Sequence, residues 1–250
     1  MSQSKTQKRI QKIDVIIQAR MTSKRLPGKV LRSVCGKPML EYLLERLNQC
    51  ENVAKIVVAT SSDPSDEPIA DFCSAMNVSC FRGPLLNVAE RFYDILIEFG
   101  FDKFVRISGD SPLLDQRLID SGIRLFLDWD YDMVTNIFPR TFPKGQSVEI
   151  LKSDVFIEAF EKMKEDDDLE HVTKYIYKNC NTYKIHNFES GEGLGNIQLS
   201  VDTEEDLLKF EQIVEAMEKD HWCYGYKDVL GILESINRNK YIIQAKNSLI

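Results

Sequence analysis

The sequence predicts an α/β protein in which a mostly parallel sheet is sandwiched by helices and a smaller lobe follows it. Three observations carry this. Strand-like apolar runs and helix-like segments alternate about four times up to Thr135. The strand-like runs, such as Val15-Ile16-Ile17 and KIVVAT, are apolar runs without clean alternation, as in strands covered on both faces. The stretches that follow them are rich in Ser, Asp, Pro and Gly, the residues of turns.

Taken in order, residues 1–12 read as a flexible tail, and the first strand ends at Gln18. Pro38 suits the first turn of a helix whose apolar face is Leu40, Leu43, Leu44 and Leu47. A second strand is expected over 55–60, then the turn-rich SSDPSDEP and a helix over 67–76. A third strand, 78–81, runs into Arg82-Gly83-Pro84. The helix after it, 88–99, gathers Val88, Phe92, Ile95 and Phe99 on one side. A fourth strand over 103–107 meets the loop Ser108-Gly109-Asp110-Ser111-Pro112, followed by a helix over 116–127 and a fifth strand over 132–135.

After Asn136 the alternation breaks. Two prolines and a glycine precede a short strand near Glu149, then a helix over 154–164, an acidic kink at 165–168, a helix over 170–178 and a strand over 183–188. Residues 137–195 read as a lobe that closes over the sheet and holds a second substrate. A strand over 197–201 is expected to return to the core and end at Asp202. There Asp202 or Thr203 caps a helix reaching about Met217. The last helix is expected over 226–237, within a single domain spanning 13–238, and 239–250 reads as a C-terminal tail.

At 250 residues, 43% hydrophobic and 28% charged, the chain can bury a substantial core. Its net charge of −7 argues against broad nucleic-acid binding. No apolar run reaches membrane-spanning length, and residues 1–12 lack the apolar segment of a signal peptide. Six cysteines without a C-x-x-C pair suit reduced thiols, so a cytoplasmic protein is expected.

Against that acidic background one stretch is conspicuously basic. Between Gln18 and Leu40 lie Arg20, Lys24, Arg25, Lys29, Arg32 and Lys37, with no Asp or Glu. Such a loop leaves the first strand at the carboxyl edge of the sheet, where folds of this class bind ligands. Clustered cations and turned backbone N–H groups suit a polyphosphate. It is neither a Walker A loop, since Lys29 is followed by Val30 without the required spacing, nor a G-x-G-x-x-G fingerprint. Asp110 and Asp202 each follow an expected strand and would face this loop. Two carboxylates plus phosphate oxygens are what Mg2+ usually takes, so both are candidate metal ligands.

The segments IIQARMTSKRLPGKVL, KIVVAT, FRG, VRISGDSPLLD, EHVTKYI and SVDTEEDL resemble, in the same order, the cytidylyltransferases that make CMP-activated sugars. The nearest kin would be the spore-coat polysaccharide F-type proteins, with CMP-acylneuraminate and CMP-Kdo synthetases further off. The resemblance implies a Rossmann-like nucleotide-diphospho-sugar transferase fold with an acceptor and dimerisation lobe. It also implies a CTP site of Gln18, Ala19, Arg20, Ser23, Arg25, Lys29, Thr60, Ser61, Ser62, Asp63, Arg82, Arg106, Ser108 and Gly109. By the same resemblance, Mg2+ sits on Asp110 and Asp202, and Glu149, His171 and Thr173 face the acceptor. One departure stands out: in Gly145-Gln146-Ser147-Val148-Glu149, Ser147 occupies a place where an acid is expected.

The expected reaction is attack of an acceptor oxygen on the α-phosphorus of CTP with loss of pyrophosphate. Arg20, Lys29, Asp110 and Asp202 would be the catalytic set, helped chiefly by positioning and charge neutralisation. A phosphate acceptor needs no base; a hydroxyl acceptor does, and His171 is the candidate. Two other readings compete. A glycosyltransferase on the same sheet usually shows Asp-x-Asp, where this chain has a single Asp110. A non-catalytic homologue would have lost a loop cation or an acid, and Arg20, Arg25, Lys29, Asp110 and Asp202 are all present.

Overall fold

The computed structural model describes residues 11–247. Seven strands form one sheet: β1 (Ile13–Gln18), β2 (Val53–Ser61), β3 (Ser79–Gly83), β4 (Lys103–Ser108), β5 (Met133–Thr135), β6 (Glu149–Lys152) and β7 (Ile185–Asn187). Their spatial order is β3-β2-β1-β4-β6-β5-β7. The first four run parallel, and Gln18 pairs with Ala59 on one side and Ser108 on the other. β1 and β4 therefore end at the same level, and β2 runs two residues further, to Ser61. β6 enters antiparallel to β4 and sets Glu149 opposite Arg106. The strands of the 137–195 stretch thus continue the main sheet.

The continuous apolar strands make sense once the two faces are separated. Val15, Ile17, Val58, Val105 and Ile107 point into one core with the helices α1 (Met39–Leu47), α4 (Gln116–Asp128) and α8 (Glu204–Glu215). Ile16, Val57, Ala59 and Phe104 point into the other, with α3 (Val88–Phe99) and α5 (Ser153–Lys162). The central strand positions supply both layers through the two-residue repeat, so apolar residues follow one another there instead of alternating with polar ones. The helix α2 (Glu67–Ala75) completes the first layer through Ile69 and Cys73.

Four expectations change. Residues 197–201 form no strand; they run alongside Lys144 with one bridge at Gln198. Their backbone is satisfied irregularly, Leu199 N and Ser200 N both donating to Lys144 O and Val201 N to Asp110 O. The expected helix over 170–178 starts only at Lys174, as α7 (Lys174–Lys178), because Val172, fully buried and with φ 29°, separates it from α6 (Asp166–Glu170). Burial of that side chain in the second core overrides helix continuity. The acidic stretch 165–168 is no kink, because Asp166, Asp167 and Asp168 form the first turn of α6, where negative charge suits the helix dipole. Finally, α9 runs Tyr226–Asn247, past the expected stop at Asn237. Of the expected tails, residues 1–10 and 248–250 lie outside the described residues.

Candidate active site

The basic loop is folded back by Gly28, whose N–H donates to Met21 O at 2.8 Å and whose φ of 71° lies in the left-handed region. Gly28 opens a 3-10 turn, Lys29–Leu31, which aims the Lys29 side chain inward. Its ammonium meets Asp202 Oδ1 at 2.9 Å, Asp110 Oδ2 at 3.1 Å and Val201 O at 2.7 Å. Arg25 reaches the same Asp202 oxygen at 3.0 Å. Asp202 is available because Thr203, not Asp202, caps α8: Thr203 Oγ1 accepts from Asp206 N, and Asp206 accepts from Thr203 N, a capping box. Burial alone would raise the Asp202 carboxyl, but Lys29 and Arg25 outweigh it and hold the group below its ordinary value.

These groups line an open cleft of about 360 Å³ over the carboxyl ends of β1 and β4. Of the residues expected at a nucleotide or metal site, Gln18, Ala19, Arg20, Ser23, Arg25, Lys29, Ser108, Asp110 and Asp202 line it. His171 lines it as well, and its Nε2 lies 3.5 Å from Asp167 Oδ1. Gly109 sits just behind, donating to Gln18 O at 2.8 Å. A Cβ there would lie 3.0 Å from that oxygen, so glycine lets β1 and β4 close up.

Other expected residues lie outside the cleft wall. Thr60 and Ser61 are fully buried, and Ser61 bonds Asp66. Asp63 accepts from Ser65 N at 2.9 Å as a cap. Arg82 is held by Ser61 O, Asp63 O and Glu67. Thr173 and Glu149 are buried. Glu149 Oε1 accepts from Thr173 Oγ1 and Tyr177 OH, both at 2.7 Å, and Oε2 takes Arg106. Arg106 in turn donates twice to Gln18 Oε1, at 2.9 and 3.1 Å. Burial, then Glu149, push the Tyr177 phenol well up, so it stays a donor. Glu149 therefore has both oxygens engaged and acts toward the cleft through Arg106 and Gln18.

Four residues not expected at the site also line the cleft: Val30, Val88, Arg91 and Glu170. Glu170 receives Arg20 Nη2 at 2.8 Å, and Arg20 in turn lowers its carboxyl. It stands beside His171 in the EHVTKYI segment, which was its only signal. Arg91 is an arginine next to Phe92 on the buried side of α3, a position that pattern reading assigns to core.

Among the described residues no group of three or more His, Cys, Asp or Glu is arranged to hold a metal. Asp110 and Asp202 offer two hard oxygen donors sharing one ammonium. That set fits a cation such as Mg2+, which completes its shell with water and substrate phosphate, rather than a fully protein-enclosed ion. The Ser147 departure is accommodated locally, its Oγ accepting from Arg140 Nη2 at 3.1 Å.

A sequence profile described as cytidylyltransferase matches residues 15–238. An uncharacterised protein of Methanocaldococcus jannaschii is 34% identical over 92% of this chain and 93% of its own. The spore coat polysaccharide biosynthesis protein SpsF of Bacillus subtilis is 32% identical over 80% of this chain and 85% of its own. Among solved structures, a cytidylyltransferase from Leptospira borgpetersenii superposes with TM-score 0.85 at 28% identity, covering 94% of this chain and 97% of that one. No described helix is long and apolar enough to cross a membrane. The chain belongs to the cytidylyltransferase family and is a nucleotidyltransferase.

Proposed function

We propose that this protein transfers CMP from CTP to a sugar-like acceptor, an acidic sugar or a sugar or polyol phosphate, with release of pyrophosphate. The pathway served would be the synthesis of cell-surface polysaccharide in the cytoplasm. The observation that supports this most is the single ammonium of Lys29 joining Asp110 and Asp202 at the mouth of a cationic cleft. A relative named for spore coat polysaccharide biosynthesis, and 3-deoxy-manno-octulosonate cytidylyltransferase from Geobacter sulfurreducens, 31% identical over 44% of this chain, favour a sugar acceptor.

In this reading Arg20, Lys24, Arg25 and Lys29 neutralise the triphosphate and then the departing pyrophosphate. Lys29 is held by three oxygens before substrate arrives, so little reorganisation is needed. The backbone at 18–20 is fixed by Gly109 and by the Arg106–Gln18 contact. Mg2+ bound by Asp110 and Asp202 would polarise the phosphate oxygens. His171, more than half exposed, is placed to bind the acceptor or to take a proton from a hydroxyl. A homodimer is proposed through the 137–190 region, where Phe138 is 41% exposed and packs against Tyr177.

Calorimetric titration with each of the four nucleoside triphosphates in magnesium tests the nucleotide assignment. CTP should bind at least tenfold more tightly than the other three. Equal binding of all four would reject CTP as the substrate. Light scattering that finds only a monomer at micromolar concentration would reject the dimer.

A further inference from the structure

Among the described residues two arginines are fully buried, Arg46 and Arg91, and they are held very differently. Arg46 is satisfied on every nitrogen: Nε donates to His221 Nδ1 at 3.2 Å, Nη1 to Tyr224 O at 3.1 Å and Gln116 Oε1 at 3.4 Å, and Nη2 to His221 O. Arg91 is 1% exposed, yet its one hydrogen bond is a long one, Nη1 to Ala59 O at 3.4 Å, and its buried Nε has no partner. No ion pair holds it among the described residues. A buried guanidinium left in this state is costly.

The fold nevertheless makes room for it. A Cβ on Gly83 would lie 2.7 Å from Arg91 Cγ, so glycine at the end of β3 is what allows the stem to pass. Though buried, Arg91 is among the residues that line the cleft, as are Val88 and Arg20. Asp66 is the carboxylate that acts on it, and Asp66 is already engaged by Met21 N at 2.6 Å and Ser61 N at 3.1 Å. Burial first, and the like charge of Arg20 further, pull the guanidinium down to about 10, against a partial restoring effect of Asp66. It is still a cation at neutral pH.

We propose that Arg91 is a further substrate-binding residue, whose guanidinium donates to a phosphate oxygen of the nucleotide on the Arg20 side of the cleft. This rests on the nucleotidyl-transfer reading of the same cleft. Arg20, paired with Glu170, acts on Arg91 by like charge, and both arginines line the cleft that Lys29, Asp110 and Asp202 also line. The missing partner of Arg91 is then the substrate itself, which supplies what Arg46 finds in the protein. A planar fork suits phosphate oxygens better than an ammonium would.

The test is calorimetric binding of inorganic pyrophosphate, which requires no transfer reaction, together with the thermal transition of each variant. Arg91→Met should weaken pyrophosphate at least tenfold while leaving Tm equal or higher, because an unpaired buried charge is replaced by an apolar side chain. Arg91→Lys should weaken it at least threefold. Gly83→Ala, which pushes the stem aside, should weaken it without removing the charge. Pyrophosphate affinity unchanged in Arg91→Met would overturn the proposal, as would unchanged affinity in Arg91→Lys where the Met variant does not fold. Absence of CTP-dependent turnover with Arg91-dependent pyrophosphate binding intact would sink the transfer reading and leave this one standing.

Discussion

Lys29 and Asp202 are 173 residues apart in sequence, and their charged atoms are 2.9 Å apart. Between them the chain completes the sheet, adds the 137–195 stretch and returns along Lys144. That return needs no strand. Three backbone bonds, from Leu199 and Ser200 to Lys144 O and from Val201 to Asp110 O, bring Asp202 to the Lys29 ammonium. The site is assembled by this closure, so its residues should report on catalysis and on each other.

Lys29→Met removes a side chain that touches three oxygens. Turnover (kcat/KM) should fall by about 10²–10³, the usual loss on deleting a preorganised charge donor. Stability should fall by roughly 1–3 kcal/mol, since Val201 O and two carboxylates lose their shared donor. Steady-state kinetics and thermal melts check both. Wild-type kcat/KM in this variant would remove Lys29 from the catalytic set.

Asp110→Asn should abolish pyrophosphate release with the thermal transition unchanged, since Asp110 faces the cleft rather than the core. A chelator should produce the same loss in the wild type, and added magnesium should restore it. Turnover retained by the variant, or insensitive to the chelator, would contradict the metal assignment.

Glu149→Gln leaves Arg106 without its carboxylate in a site where Glu149 is 1% exposed. Breaking a buried pair from one side costs about 3–5 kcal/mol, so a clear drop in Tm is expected. Loosening of Gln18 should lower kcat. If instead Tm is unchanged and only the acceptor KM rises, Glu149 contacts the acceptor directly.

The C-terminal region is fastened by a buried polar cluster at α1. His221 Nδ1 accepts from Arg46, so Nε2 carries the proton shared with Glu45 at 2.7 Å. Burial lowers the imidazole below its ordinary 6.5, Arg46 and Lys37 lower it further, and Glu45 opposes them. The unfolded chain thus binds the proton more readily. The stabilisation is fully present above about pH 6.5 and is lost as pH falls through the lower folded value. The Tm of the wild type should therefore drop on acidification from pH 7 to 5 more steeply than that of His221→Gln. Parallel curves would show that His221 does not titrate against folding.

Much of this was legible in the chain because local rules and tertiary outcome agree. The strands carry consecutive apolar residues, such as Val15-Ile16-Ile17, because both faces are covered, and Thr203-Glu204-Glu205-Asp206 is a capping box that marks α8 and places Asp202 just before it. The cations of 20–29 stood out against an acidic protein. Other parts were hidden for physical reasons. Ile197 to Val201 has strand-like residues, but only Gln198 is bridged, because the neighbouring Lys144 segment turns at Gly145. Val172 breaks a helix through burial, which periodicity does not show. Arg91 lies on a core-facing helix side, where an arginine has no local signature. The burial of Glu149 against Arg106 was hidden because it depends on β6 running antiparallel to β4, a pairing that local sequence does not show.

The most direct measurement is pyrophosphate release with CTP and magnesium against a panel of acidic sugars and sugar or polyol phosphates. The account predicts release with CTP and at least one member of the panel, none with ATP, GTP or UTP, and loss of the signal in Lys29→Met. CTP binding without release for any acceptor would contradict the transfer reading for this panel. Release that survives Lys29→Met, or that proceeds equally with every nucleotide, would contradict the central claim.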